Sequence, residues 1–529
     1  MNASSSARTI YDQLASIEPS HLAVQDGDLH LNYGELRQKV DAFAAFLAAQ
    51  NVRPGDRIAT RLNKGVEEII CTYAAARLGA VFVNIHPAWP RSQVNQVLCD
   101  AAPVVLVGDT LRLAGLECDA LIVNVDEENS ANGAICFGDA LATTSSPPRR
   151  FTDSTALASL LYTSGSTGNP KGVMHSHANL VGFATHVAEY LDNTQDDRII
   201  GILPISFSYG LSQLLCAIRV GGTLVLPQST IPGEIVATLE RERITGVAGV
   251  ALILSQIADI VEEESLELPQ LRYITCAGGP LPDPIGRRLR KLLPDADLVL
   301  MYGSTEALRS TYLPASLYDS KPGAIGQAIP GVEVELITED GRVAEPNEPG
   351  EIVHGGALGM LGYWRDEAAS AAKLRDCPAL NERGIHQPVL FTGDLARRDT
   401  DGCLWFVSRA NWMIKSGGFR YSITELEQAI ESLPMITTAV GAPHDDPLRG
   451  QIVELAVMLA EPGSHSKKTL LRRIKRELPG YMWPSTIHII KGDLPVTANG
   501  KLDRPALFRK LAKDVLKDTD KELTQEEEA

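Results

Sequence analysis

The chain has 529 residues, 44% hydrophobic and 22% charged, an ordinary balance for a soluble globular protein with a large core and no need of covalent staples. Its net charge of −17 argues against non-specific nucleic-acid binding, and any anionic ligand must be held by local donors working against that field. The eight cysteines are scattered, without a CxxC pair or a Cys/His cluster, which argues against a disulfide framework or a zinc site and fits a reduced, cytoplasmic setting.

The first residues, "MNASSSARTIYDQL", lack the basic and apolar regions of a signal peptide, and no apolar run approaches the ~20 residues of a membrane span. Short apolar runs then recur with helical patterns between them: "RIATRL" (57–62), "VFVNI" (81–85), "VVLVGD" (104–109), "LIVNV" (121–125), "TLVLP" (223–227), "VAGVALIL" (247–254), "RYITCAGG" (272–279) and "LVLMYG" (298–303). This alternation predicts α/β layering with largely parallel sheets. "ERERITGVAGV" (240–250) reads as a helix end running into a buried strand.

Between two of these units stands "TSGSTGNPKG" (163–172). Gly165, Gly168 and Gly172 let backbone amides turn inward, Thr163, Ser164, Ser166 and Thr167 add hydroxyls, and Lys171 adds a positive charge: a nest for phosphate oxygens. Pro170 stands where a Walker A loop needs its second glycine, and the residues after Lys171 are strand-like. Further on, "MYGSTEA" (301–307) ends an apolar run, where ligands of open α/β sheets sit; Tyr302 could stack a base and Glu306 hold Mg²⁺. In "LFTGD" (390–394) Asp394 follows a Thr-Gly turn, a good place to accept two ribose hydroxyls, with Arg409 fifteen residues on.

The pattern restarts near "SRANWMIKS" (408–416). "SITELEQAIESL" (422–433) predicts a helix capped by Ser422 with Glu425 completing a capping box, "QIVELAVMLA" (451–460) a strand, and "SKKTLLRRIKREL" (466–478) an amphipathic helix. In "LPVTANGKLDR" (494–504) an Asn-Gly turn would present Lys501 at a loop tip, and the acidic end "KDTDKELTQEEEA" (517–529) reads as a frayed tail.

In this order the stretches resemble the AMP-forming adenylate-forming superfamily of acyl-CoA synthetases, peptide-synthetase adenylation domains and luciferases, most nearly its stand-alone acyl-CoA or carboxylic acid ligases. "LNYGEL" (31–36), "RLGAVFVNIHP" (77–87), "GEIVHGGALGMLGYW" (350–364) and "LPGYMWP" (478–484) add to the resemblance, which covers nearly the whole chain. It implies a large N-terminal nucleotide- and acid-binding body of stacked α/β sheets (1–408), a hinge (409–411) centred on Asn411, and a small, mobile α+β lid (412–529). The hinge position is usually Asp or Lys.

The resemblance also implies roles. The 163–172 loop would hold the β- and γ-phosphates of ATP; Gly278, Gly279 and Pro280 would border the adenine with Tyr302. Gly303, Ser304, Thr305 and Lys415 would complete the nucleotide contacts, Thr167 and Glu306 would place Mg²⁺, Asp394 and Arg409 would hold the ribose, and Lys501 would bridge the reacting groups. The reaction the resemblance implies is attack of a carboxylate on the α-phosphorus of ATP with release of pyrophosphate, so two anions must meet, and unit charges about 4 Å apart near a surface repel by about 4 kcal/mol. Hence the cations. Gly417 and Gly418 in "KSGGF" (415–419) resemble the glycines that admit pantetheine.

In "LPISFSYG" (203–210) Phe207 stands where many acyl-CoA synthetases have a histidine, and no acid is present to pair the ammonium of an amino acid. A neutral organic or fatty acid is therefore expected, lined by Phe207, Ser208, Tyr209, Leu211 and residues near Ala277. Coenzyme A is the expected acceptor. The alternatives are a carrier-protein pantetheine or, as in the coronafacate-ligase type, an amino-acid amine. A non-catalytic nucleotide-binding protein would be expected to lack Lys501, Asp394 or Glu306.

Overall fold

The computed structural model describes residues 8–126, 133–148, 152–163, 170–356, 358–382, 384–385, 388–409, 412–416, 419–446, 450–490, 492–497 and 502–512. Two compact units emerge. One comprises 1–335, 353–392 and 402–404; the other comprises 336–352, 393–401 and 405–529. The second unit is thus drawn from three segments of chain.

The first unit contains two large sheets. In one, six neighbouring strands run parallel: Asp297–Tyr302, Tyr273–Cys276, Gly246–Gly249, Arg198–Ile200, Thr223–Leu226 and Leu22–Asp26, with antiparallel strands at both edges. Every residue of 223–226, 246–249 and 273–276 is buried, as expected of parallel strands covered on both faces. The apolar runs read as strands at 57–61, 81–84, 105–108 and 121–124 pair side by side in the other sheet.

One run divides. In "VAGVALIL" the strand stops at Gly249, and Ala251–Glu263 forms a helix. A short apolar run does not by its periodicity distinguish a buried strand from a buried helix start.

The phosphate-loop residues Ser164–Gly168 lie outside the described residues, but the hairpin that carries them is defined. Strand Leu157–Thr163 pairs antiparallel with Lys171–Ser176, and Thr163 stands opposite Lys171. Both flanks of the loop are thereby held at adjacent positions.

The second unit contains a five-stranded sheet ordered Phe419–Ser422, Met413–Ser416, Gly450–Leu459, Ile436–Asp446, with Thr486–Ile489 parallel to Gly450–Leu459. Alternation along these strands makes two apolar faces. Val453, Leu455 and Val457 meet Leu426 and Ile430 of helix Ile423–Glu431 and Leu470 and Ile474 of helix Lys467–Glu477. Val440 and Ala456 meet Leu507 on the other face. The Ser422 hydroxyl accepts from the Thr424 and Glu425 amides, the cap read from the sequence, but the return bond from the Glu425 side chain that would complete a capping box is not made. A further sheet, with strands Val332–Ile337, Gly350–Gly356, Val389–Arg398 and Leu404–Arg409, contributes residues to both units.

Candidate active site

Parallel strands deliver their following loops to one edge of the sheet. Strands 198–200, 246–249, 273–276 and 297–302 are neighbours, so the segments at 201–207, 250, 277–280 and 303–306 leave from the same carboxyl edge. That edge is where open α/β sheets bind ligands. Gly278 takes φ +88°, which favours glycine, and a Cβ on Gly279 would meet no atom within 4 Å, so this backbone borders open space. Gly303 has the opposite constraint: a Cβ there would stand 2.5 Å from the Leu308 carbonyl oxygen. "YGSTE" therefore turns tightly, and the Ser304 hydroxyl accepts from the Ala307 amide.

Glu306 is fixed from two directions. The Met360 amide donates to its carbonyl, and the Tyr363 hydroxyl donates to its Oε1 at 2.8 Å. Burial, and secondly this carboxylate, push the Tyr363 phenol well above its ordinary range, so it stays a donor. The Glu306 charge thus sits half-buried at the sheet edge, a hard anionic oxygen suited to Mg²⁺. Among the described residues no cluster of three or more His, Cys, Asp or Glu could hold a metal. One carboxylate plus phosphate oxygens is, however, a common Mg²⁺ donor set, and the donors here fit it.

His175, unremarked in the sequence, supports the same turn. Its Nε2–H donates to the Thr305 carbonyl at 2.8 Å from a fully buried ring. Lys171 lies on the same strand; its ammonium pairs with Asp366 at 3.0 Å and stands 5.2 Å from the Tyr363 ring centroid. The strand Lys171–Ser176 thus braces both Thr305 and the Tyr363–Asp366 turn. Neither contact was readable from sequence, since the partners lie 130 and 195 residues apart.

The residues expected to line the acid gather beside this edge. Leu203, Tyr209, Ala248, Ala277, Val299 and Met301 form one cluster with Phe207 against it. Tyr209 hydrogen-bonds Thr275 at 2.6 Å and meets the Phe207 ring edge-on at 6.4 Å. Ser208 is buried in the first turn of helix Ser208–Val220, which begins without a side-chain cap.

In the second unit, Asp394 and Arg409 come together on paired strands, with Nε and Oδ1 3.3 Å apart. The Asp394 side chain is 8% exposed and that of Arg409 56%. Asn411, Gly417, Gly418 and Lys501 lie outside the described residues, as does the side chain of Lys415. Val496 and Leu502, which flank the Asn-Gly pair, form an antiparallel bridge.

A parallel sheet with a glycine-lined carboxyl edge is an arrangement suited to a nucleotide. The chain belongs to the AMP-binding enzyme family, whose profile matches residues 12–364, with that of the family's C-terminal domain matching 425–501. It is 32% identical over 517 residues to the L-proline--[L-prolyl-carrier protein] ligase of Streptomyces coelicolor, covering 92% of each chain. It is 30% identical over 495 residues to a feruloyl-CoA synthase from an Amycolatopsis species, covering 92% of this chain and 95% of that one. Among solved structures, o-succinylbenzoate coenzyme A synthetase from Bacillus subtilis, in complex with ATP and magnesium ion, matches with a TM-score of 0.79 and 26% identity, covering 94% and 98% of the two chains. Other relatives are far longer: the chain spans 9% of a linear gramicidin synthase polypeptide from Brevibacillus parabrevis and 45% of phosphinothricin tripeptide synthetase PhsC from Streptomyces viridochromogenes. No described helix is long and apolar enough to cross a membrane.

Three buried histidines give this body an acid sensitivity. Burial holds His175, His177 and His354 at about 4, below the ordinary 6.5, because the charged ring cannot be solvated. The unfolded chain takes up these protons near pH 6.5 and the folded chain only near 4, so the stability is fully present above 6.5 and is lost as pH falls towards 4. Glu68, pushed by burial to about 8, works in the opposite sense between 8 and 4.5, and Asp26 and Glu67, which burial also raises, work in that sense too, while His86, lowered by burial, adds to the three histidines. The melting temperature should therefore fall steadily from pH 6.5 to 4.5; a flat profile would contradict this account.

Proposed function

We propose that the chain activates a carboxylic acid lacking an ammonium group, joining it to the α-phosphate of ATP with release of pyrophosphate, and then passes the acyl group to the thiol of coenzyme A. The observation that carries the acid is the pocket cluster of Leu203, Phe207, Tyr209, Ala277 and Met301, in which no member is a carboxylate. A buried ammonium there would be left without a counter-charge, which is costly.

On this reading Thr163, Lys171 and the loop between them take the β- and γ-phosphates, while Gly278, Gly279, Pro280 and Tyr302 border the adenine. Asp394, beside Arg409, accepts the ribose hydroxyls. Glu306 and Thr167 hold Mg²⁺, which when bound supplies positive charge against the converging anions. His175 and Tyr363 keep the Thr305–Glu306 turn in place. Lys501 brings an ammonium to the reacting oxygens. Gly417 and Gly418 admit the pantetheine arm, and Asn411 is the pivot between the two half-reactions.

A pyrophosphate-release screen over carboxylic acids, each run with coenzyme A and with mixed amino acids, tests this. A non-amino acid should give the fastest release and a product heavier by the acyl-thioester mass. Fastest release with an α-amino acid would overturn the substrate class, and an amide product would replace the acceptor.

A further inference from the structure

Arg309, three residues beyond Glu306, is 2% exposed. Its guanidinium carbon lies 5.2 Å from the ring centroid of Tyr209 and 6.0 Å from that of Phe183. Arginine stays protonated even when buried, and buried charges are ordinarily paired. Among the described residues Arg309 has no carboxylate at ion-pair distance, and its Nε is buried without a hydrogen-bond acceptor. Among the described residues, the titratable groups in electrostatic contact with it, Tyr190 (which also hydrogen-bonds it), Tyr209 and Cys216, supply no negative charge. Burial pushes the phenols of Tyr190 and Tyr209 well up and the Cys216 thiol to about 12, so all three stay neutral. Ring faces attract the cation but do not neutralise it.

The place of this charge gives it meaning. Tyr209 belongs to the acid-pocket cluster with Leu203, Ala277 and Met301; Tyr190 packs on the same cluster, stacked on Tyr312 at 4.3 Å. The helix that begins at Ser208 adds its uncapped positive end at Phe207. The cluster is thus apolar, with positive charge beside it at two places.

We propose that the pocket takes a carboxylic acid bearing a second carboxylate, which Arg309 binds as its missing counter-ion while the hydrocarbon between the two carboxylates lies against Phe207, Tyr209, Ala277 and Met301. The inference rests on the acid-activating reading above and narrows it to dicarboxylates. It also explains a second exclusion: an ammonium would meet a like charge as well as lack a partner. The bidentate fork of arginine suits a carboxylate, which both accepts its donors and cancels its charge.

The test pairs straight-chain diacids from succinate to sebacate, and terephthalate, with the matching monoacids hexanoate, octanoate and benzoate. Pyrophosphate release is measured for the wild type, Arg309→Met and Arg309→Lys, and acid binding without nucleotide is followed by calorimetry and by the rise in melting temperature. The wild type should prefer one diacid over its monoacid on the order of 10²-fold in kcat/KM, the penalty typical of losing one partner of a buried charge pair. Arg309→Met should lose that preference, and Arg309→Lys should keep part of it. A wild type that prefers monoacids throughout, or an Arg309→Met protein that keeps the diacid preference, overturns the proposal. Should Arg309→Met not fold, the wild-type ratio and Arg309→Lys decide. Diacids that bind the wild type but never release pyrophosphate would leave the anion site standing and remove the activation reading. Monoacids activated with no diacid bound would do the reverse.

Discussion

Lys501→Ala is expected to lose acyl-adenylate formation by on the order of 10²–10³-fold while ATP still binds, because one preorganised cation aimed at developing charge contributes about that much. The reason lies in the reaction proposed for this family member. A carboxylate approaches a polyphosphate in a chain of net charge −17, so the repulsion must be met by charges placed at the reacting oxygens. Val496 and Leu502 pair across the turn that carries Lys501, so removing the side chain leaves the flanking structure its own support. Acid-dependent pyrophosphate exchange reads adenylation, and equilibrium binding of a labelled nucleotide reads the other half. Exchange within a few-fold of the wild type would remove Lys501 from the mechanism.

Glu306→Gln should have an effect of similar size by a different route. The amide is nearly isosteric and still accepts the Tyr363 hydroxyl bond, so the turn between Gly303 and Met360 should persist. What disappears is the negative charge, and with it the affinity for a hard cation. Activity at low Mg²⁺ should fall on the order of 10²–10³-fold and recover in part as Mg²⁺ rises. Tyr363→Phe supplies the contrast: it removes one hydrogen bond worth about 1 kcal/mol and leaves the charge, so its loss should be roughly fivefold. If Glu306→Gln matched the wild type at every Mg²⁺ concentration, the carboxylate would be structural only.

How much of this was legible in the sequence differs by residue. Gly165 to Lys171, Glu306 and Asp394 could be proposed from the sequence because the pattern is local: glycines, hydroxyls and one charge within a few residues are what a phosphate nest or a ribose carboxylate requires. The Asp394–Arg409 pair was also within reach, since one hairpin joins the two strands. His175 and Tyr363 were not. A histidine in "VMHSH" and a tyrosine in "LGYW" carry no signal until the fold brings them to Thr305 and Glu306.

The strand at 246–249 illustrates the same limit at the level of elements. Its apolar run continues without pattern into helix 251–263, and only the pairing with 198–200 and 273–276 shows where the strand ends.

The sequence by itself therefore determined the class of chemistry and the order of the α/β elements, because both are written in short-range patterns of turn residues and apolar periods. What only the tertiary structure decided is the setting of Arg309. Sequence reasoning expected a neutral tail because 203–210 lacks an acid, and nothing in "EALRST" marks Arg309 as anything but a surface charge. Burial against Phe183 and Tyr209, residues 126 and 100 positions away, is what leaves that guanidinium without a counter-charge among the described residues. A buried charge is defined by what surrounds it in space, and spacing along a chain does not carry that information.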